Sequence, residues 1–138
     1  MILNDAVRQA LTAGHLAHLV TLNPDGSPQV TLVWVGLDGD EIVSAHLHAW
    51  KKVRNVQKRP HVVLSMETGG RSGVLDNYLV IEGQARVTEG GAPELLRRLA
   101  AVYLGPEPGF PPDDAPGGYI IHITPERISG VGPWQTQE

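Results

Sequence analysis

Apolar positions along this chain recur at two periods, and Gly, Pro, Asn and Asp mark where one period gives way to the other. Leu3, Val7 and Leu11 share one face of a 3.6-residue turn, so a helix capped by Asn4 or Asp5 is expected to run to Gly14. His15 to Leu22 is apolar and β-prone. Asn23-Pro-Asp-Gly-Ser-Pro28 then reads as a turn, because Pro presets φ and Gly accepts positive φ. From Gln29 to Leu37 the run Val-Thr-Leu-Val-Trp-Val barely alternates, which predicts one strand covered on both faces. Asp38-Gly-Asp40 predicts a tight hairpin into a third strand, Glu41 to Leu47.

Trp50 to Lys58 reads as a short basic helix stopped by Pro60, and His61 to Glu67 as a fourth strand. Thr68-Gly-Gly-Arg-Ser-Gly73 is too glycine-rich for regular structure and is expected to be a loop. Tyr78 to Thr88 is a fifth strand, with Gly83 at a bulge where the sheet bends. Leu95, Leu96, Leu99, Val102 and Tyr103 recur at helical spacing across Ala92 to Leu104, with Arg97 and Arg98 turned outward. Gly105 to Gly118 holds five prolines and cannot be regular; its length suits a lid or an interface arm. Tyr119 to Thr124 is a last strand, followed by the extended tail Arg127 to Trp134. Hairpin turns between successive strands argue for antiparallel pairing, so the expected fold is mainly β, a barrel with flanking helices.

The length of 138 residues suits one domain, 1–138, with a core built from Val, Leu, Ile and Ala because Phe occurs once. No cysteine is present, which excludes disulfide and thiol chemistry and fits a cytoplasmic setting. No apolar run reaches the roughly 20 residues of a membrane span, and no signal peptide is visible. The formal charge of −4 argues against nucleic acid as a partner. Against that acidic background Lys51, Lys52, Arg54, Lys58 and Arg59 form a basic knot. It follows an apolar strand, and fixed cations at the start of a short helix are a good place to hold a phosphate.

These features together resemble a known pattern. A strand–Pro-Asp-Gly–strand–turn–strand unit precedes a helix of the form Lys-x-Arg-Asn-Val-x-x-x-Pro, then a strand, then Tyr-x-Val-x-Glu-Gly-x-Ala. The order is similar to that of the pyridoxamine 5′-phosphate oxidase-like superfamily, over roughly residues 4–134. Within it the chain looks like the flavin/deazaflavin oxidoreductase group, whose members commonly use coenzyme F-420 in place of FMN. The closing Ile128-Ser-Gly-Val-Gly-Pro-Trp134 also resembles that group.

The resemblance implies an antiparallel split β-barrel of the FMN-binding type, a homodimer with cofactor at the interface, and hydride transfer between F-420 and a small organic substrate. FMN-dependent chemistry on the same fold, or non-catalytic deazaflavin carriage, are the alternatives. It implies further that Lys51 and Lys52 grip the cofactor phosphate, and that Arg54 and Asn55 either contact the cofactor or lock the helix. Tyr78 matches a position touching the flavin ring and is the first guess for a catalytic proton donor. Thr31 and Val33 on the second strand, with Ser44 and His46 on the third, match segments along the ring and ribityl chain. Thr31 stands where many FMN members carry Arg, and Trp50 where some deazaflavin members carry a basic residue.

Other motifs carry less. His46 and His48 flank Leu47 without a third ligand at matching spacing, so no metal is expected. Gly69 to Gly73 lacks the Gly-Lys-Ser/Thr ending of a phosphate loop. Trp134 either fills the core or walls the ring; for Trp34 a core role is favoured.

Overall fold

The computed structural model describes residues 1–135; the last three positions of the expected domain, 136–138, lie outside the described residues. Three helices and seven strands follow one another as α1 (Asp5–Thr12), β1 (Ala17–Leu22), β2 (Pro28–Val33), β3 (Gly36–Asp38), β4 (Glu41–His46), α2 (Lys51–Lys58), β5 (His61–Ser72), β6 (Leu75–Glu89), α3 (Ala92–Tyr103) and β7 (Tyr119–Val131). All strands pair antiparallel in one sheet, in the order β2-β1-β5-β6-β7-β4-β3. The sheet curls around a single large cluster to which β1, β2, β4, β5, β6 and β7 all contribute, among them Leu19, Val33, Ile42, Leu64, Ile81 and Ile121. It is an antiparallel β-barrel left open between its edges, β2 and β3.

Helix α1 forms because Asn4 Oδ1 accepts the Val7 amide at 2.9 Å, satisfying one orphan donor of the first turn. Val7 and Leu11 are wholly buried, each contributing roughly 1.5–3 kcal/mol of apolar transfer free energy. Helix α3 packs Leu95 and Leu99 on Val43 of β4, with Trp34, Ala45, Tyr103 and Ile120 around them.

The expected single strand from Gln29 to Leu37 is two strands on opposite edges of the sheet. The chain leaves β2 after Val33, passes through Trp34 and Val35, and re-enters as β3. Tyr103 at the end of α3 holds that crossing: the Val35 N–H donates to its hydroxyl at 3.0 Å, and the hydroxyl donates to the His15 carbonyl at 2.8 Å. Gly36 begins β3 because a side chain there would meet Leu99 of α3. Nor is the run covered on both faces, since Val30 and Leu32 are each more than half exposed.

The glycine-rich segment 68–73 is not a loop. Strand β5 runs through it to Ser72 and turns into β6, while Gly69 and Gly70, at φ of 77° and 79°, absorb a register shift between Glu67 and Arg71. The bulge expected at Gly83 is present, as a register shift between Glu82 and Gly83 against β7. The C-terminal tail does not trail free: Arg127 to Val131 continues β7 and pairs with Tyr78 to Glu82.

Candidate functional site

Strand β4 turns Ile42, Ser44 and His46 to the barrel interior by simple alternation, and all three are buried. Ser44 Oγ lies 2.8 Å from His46 Nε2. Burial pushes the His46 pKa down from 6.5 to about 3, with help from the nearby Lys52 charge, so the imidazole is neutral at neutral pH.

Beyond His46 the chain leaves the sheet and enters α2, whose N-cap is Trp50 and has no side-chain cap hydrogen bond. The Trp50 carbonyl accepts from the amides of Val53 and Arg54, at 2.9 and 3.2 Å, while among the described residues the amides of Lys51 and Lys52 have no partner. An indole cannot accept those protons, so the helix presents bare N–H groups and its positive dipole end. Lys52 is half-buried, and desolvation lowers its pKa. Among the described residues no carboxylate lies within ion-pair distance of Lys51 or Lys52.

Helix α2 is held in place by Asn55, which is buried and donates to Thr21 Oγ1 at 3.1 Å and Asn23 Oδ1 at 3.0 Å on the β1–β2 hairpin. Arg54 folds back to donate to the Ala49 carbonyl. Of the two roles open to Arg54 and Asn55, these contacts serve the locking of the helix.

A cleft of about 510 Å³ opens beside this helix start. It brings together four of the residues singled out from the sequence, Val33, His46, Trp50 and Lys52. Lys51 is exposed and does not line it; Ser44 reaches it only through His46. Thr31 Oγ1 is buried without a hydrogen-bond partner, away from the cleft lining. Tyr78 lies elsewhere, in a polar cleft of about 490 Å³ with His18, Ser65 and Glu67, so one protomer does not place it beside Lys52. Trp134 is buried in the main core, its Nε1–H donating to the Tyr78 carbonyl at 3.1 Å.

Trp34, for which a core role was favoured, is only partly buried and lines the same cleft. The rest of the apolar wall, Leu16, Leu32, Leu96 and Phe110, was not singled out from the sequence. Trp34 stacks on Tyr103 with centroids 5.2 Å apart, and Phe110 meets Trp34 edge-on at 5.9 Å. Across the helix start, His48 packs edge-on against Trp50 at 4.9 Å. A signal was available: the chain's one phenylalanine stands in its least regular segment. An apolar cleft that also holds a desolvated cation beside free amides suits a flat ring system carrying an anionic tail.

Known proteins offer a comparison. A family model described as pyridoxamine 5′-phosphate oxidase matches residues 3–132. Among solved structures, one named F-420 reductase is 25% identical over 92% of this chain and 98% of its own, with a TM-score of 0.73. A conserved hypothetical protein of Mycobacterium tuberculosis is 22% identical, covering 94% of this chain and 85% of its own, at a TM-score of 0.71. General Stress Protein 26 of Bacillus anthracis is 18% identical over 95% of both chains, at 0.65. These likenesses establish the split-barrel fold. No curated protein matches the chain.

Proposed function

The chain belongs to the pyridoxamine 5′-phosphate oxidase family, whose fold binds flavin-type cofactors, and from that premise we propose that it is an oxidoreductase using the deazaflavin coenzyme F-420. Its reaction is hydride transfer between that coenzyme and a small organic substrate. The observation carrying this reading is the half-buried Lys52, without a carboxylate partner among the described residues, at an uncapped helix start that opens on an apolar cleft. A buried cation without a counter-ion is costly, and a phosphate arriving there restores what desolvation removed.

The residues present fit the group. Lys52 and the amides of Lys51 and Lys52 hold the phosphate, with the Lys51 side chain adding charge from the exposed side. Val33 would lie along the ring-bearing part, Trp50 would stand beside the phosphate as N-cap of α2, and Asn55 fixes the helix that carries the anchor. His46, held neutral and oriented by Ser44, offers a hydrogen-bonding edge without a competing charge. When bound, the coenzyme supplies the hydride; the protein supplies orientation and a site from which water is excluded. Little acid–base machinery is called for, because the acceptor takes two electrons and one hydrogen with the hydride and can draw its remaining proton from solvent.

We place the protein in the cytoplasm as a single-domain homodimer. Among the described residues no helix is long and apolar enough to cross a membrane. The outer face of β2, β1, β5 and β6 aligns Leu32, Val30, Val20, Val63 and Val80 through its cross-strand register, and Val30 and Leu32 stand exposed on it. A second copy covering that face would bury it and could bring Tyr78 toward a cleft that one protomer leaves without it. Sedimentation velocity reads this directly: a monomer at micromolar concentration removes the dimer from the proposal.

The function is tested by titrating the protein with F-420 and, separately, FMN, following cofactor fluorescence. Preference for F-420 with turnover of an acceptor by the reduced form supports the reading. Preference for FMN moves the protein to the flavin branch of the same fold. Tight F-420 binding without turnover of any acceptor makes it a carrier.

A further inference from the structure

The cleft is built from two chemically different contributions. The stretch from His46 to Lys52 supplies both imidazoles and, among the described residues, the one charged side chain lining it. Leu16, Leu32, Trp34, Leu96 and Phe110, with Val33 and Ala45, supply the rest of the lining, and the single polar side-chain atom they hold is the Trp34 indole nitrogen.

Within that apolar contribution, the two rings differ in how firmly they are held. Trp34 is fixed, being stacked on Tyr103, whose hydroxyl ties α3 to Val35 and His15. Phe110 lies in the irregular segment between α3 and β7, beside the buried Pro111, and the segment is tied back near its end, where the Gly117 carbonyl accepts the Ala92 amide and the Gly118 carbonyl the Gly90 amide. Its ring remains more than one-third exposed and touches Trp34 only edge-on, at an interplanar angle of 80°. A flat ligand face can replace such a contact with a stacked one of similar strength.

We propose that Trp34 and Phe110 form the subsite for the hydride acceptor, and that Phe110 makes it select uncharged molecules with a flat apolar face over carboxylate-bearing molecules of the same size. The inference rests on reading the cleft as the cofactor cleft, and deepens it. A carboxylate seated against Leu16, Leu32, Trp34 and Phe110 would lose its water and find on those side chains only the Trp34 indole N–H as a donor, too little to offset its desolvation. A planar aromatic ketone loses nothing comparable and gains contact with two rings.

The test uses the full chain and two probes of matched size, 2-acetonaphthone and 2-naphthoate, by titration calorimetry in phosphate buffer so that the anion site at Lys52 is already filled. The wild type is expected to bind the ketone at least about tenfold more tightly than the carboxylate. Phe110→Ala should weaken ketone binding by about tenfold, as loss of an aromatic anchor does. Phe110→Tyr keeps the ring and should keep the affinity. Equal binding of both probes to the wild type, unchanged ketone binding by Phe110→Ala, or an equal loss in Phe110→Tyr each overturns the subsite. Failure of the wild type to bind either cofactor strikes instead at the proposed function.

Discussion

Replacing Lys52 with Ala isolates the anchor on which the functional reading stands. In the wild type this ammonium is half-buried, its pKa lowered by desolvation, with no carboxylate in ion-pair range among the described residues. A charge-assisted hydrogen bond to a phosphate contributes about 1.5–3 kcal/mol. Because Lys52 keeps part of its water, the lower end applies, and about 1.5 kcal/mol is roughly tenfold in Kd. The α2 amides remain in the variant, so binding should weaken rather than vanish. Fluorescence titration of wild type and variant with F-420 and FMN at neutral pH reads the change, and raising the salt should shrink it. The same substitution should leave the cofactor-free protein as stable as the wild type or slightly more so. A lysine whose folded pKa lies below its unfolded value costs stability while both states are charged, and that cost fades as pH rises between the two values. A variant that binds both cofactors within twofold of the wild type would refute the anchor. One that melts well below the wild type would refute the claim that Lys52 makes no stabilising contact in the cofactor-free protein.

His46 gives a pH signature of the opposite region. Its folded pKa near 3 lies below the ordinary 6.5, so the unfolded chain binds its proton first and stability falls as pH drops from 6.5 towards 3. Relative to His46→Gln, the wild type should lose up to about 1.4 kcal/mol per pH unit in that window, measured by urea unfolding; parallel curves would count against a buried neutral imidazole. Asn55→Ala removes the donors to Thr21 and Asn23 and should cost about 1–3 kcal/mol, since those acceptors lose their partner in a largely buried position. Its urea midpoint should fall, and an unchanged midpoint would show that α2 is held by Val53 and Val56 alone. Gly83→Ala would drive a methyl group into the Thr124 carbonyl across the β6–β7 bulge, and the backbone cannot yield as a flexible side chain can. We expect a loss of more than about 3 kcal/mol or failure to fold; a cooperative melt near that of the wild type would remove the close approach.

Local chemistry decided much of what the chain announces by itself. The α1 cap at Asn4, the hairpin at Gly39-Asp40, the uncapped basic helix after β4, the bulge at Gly83 and the amphipathic α3 each follow from residues within a few positions of one another. Periodicity, turn chemistry and charge spacing act at that range, and so the basic knot and the antiparallel plan could be read directly. The same locality explains why Lys52 and His46, which line one cleft, could be singled out together: they lie six positions apart on consecutive elements.

Tertiary structure decided whatever depended on distant partners. Nothing near Trp34 says that the apolar run 29–37 breaks there; the break is enforced by Tyr103, far along the chain, which binds Val35 and stacks on Trp34. Trp134 became core, and Tyr78 was carried to another cleft, because β7 runs on to Val131 beside β6. Phe110 reached the cleft only because α3 delivers the proline-rich segment to Trp34. A hydrophobic residue carries no address in its sequence neighbourhood. Which apolar surface it meets is fixed by the curl of the whole sheet, so the basic helix start was written locally and the apolar wall of the cleft was not.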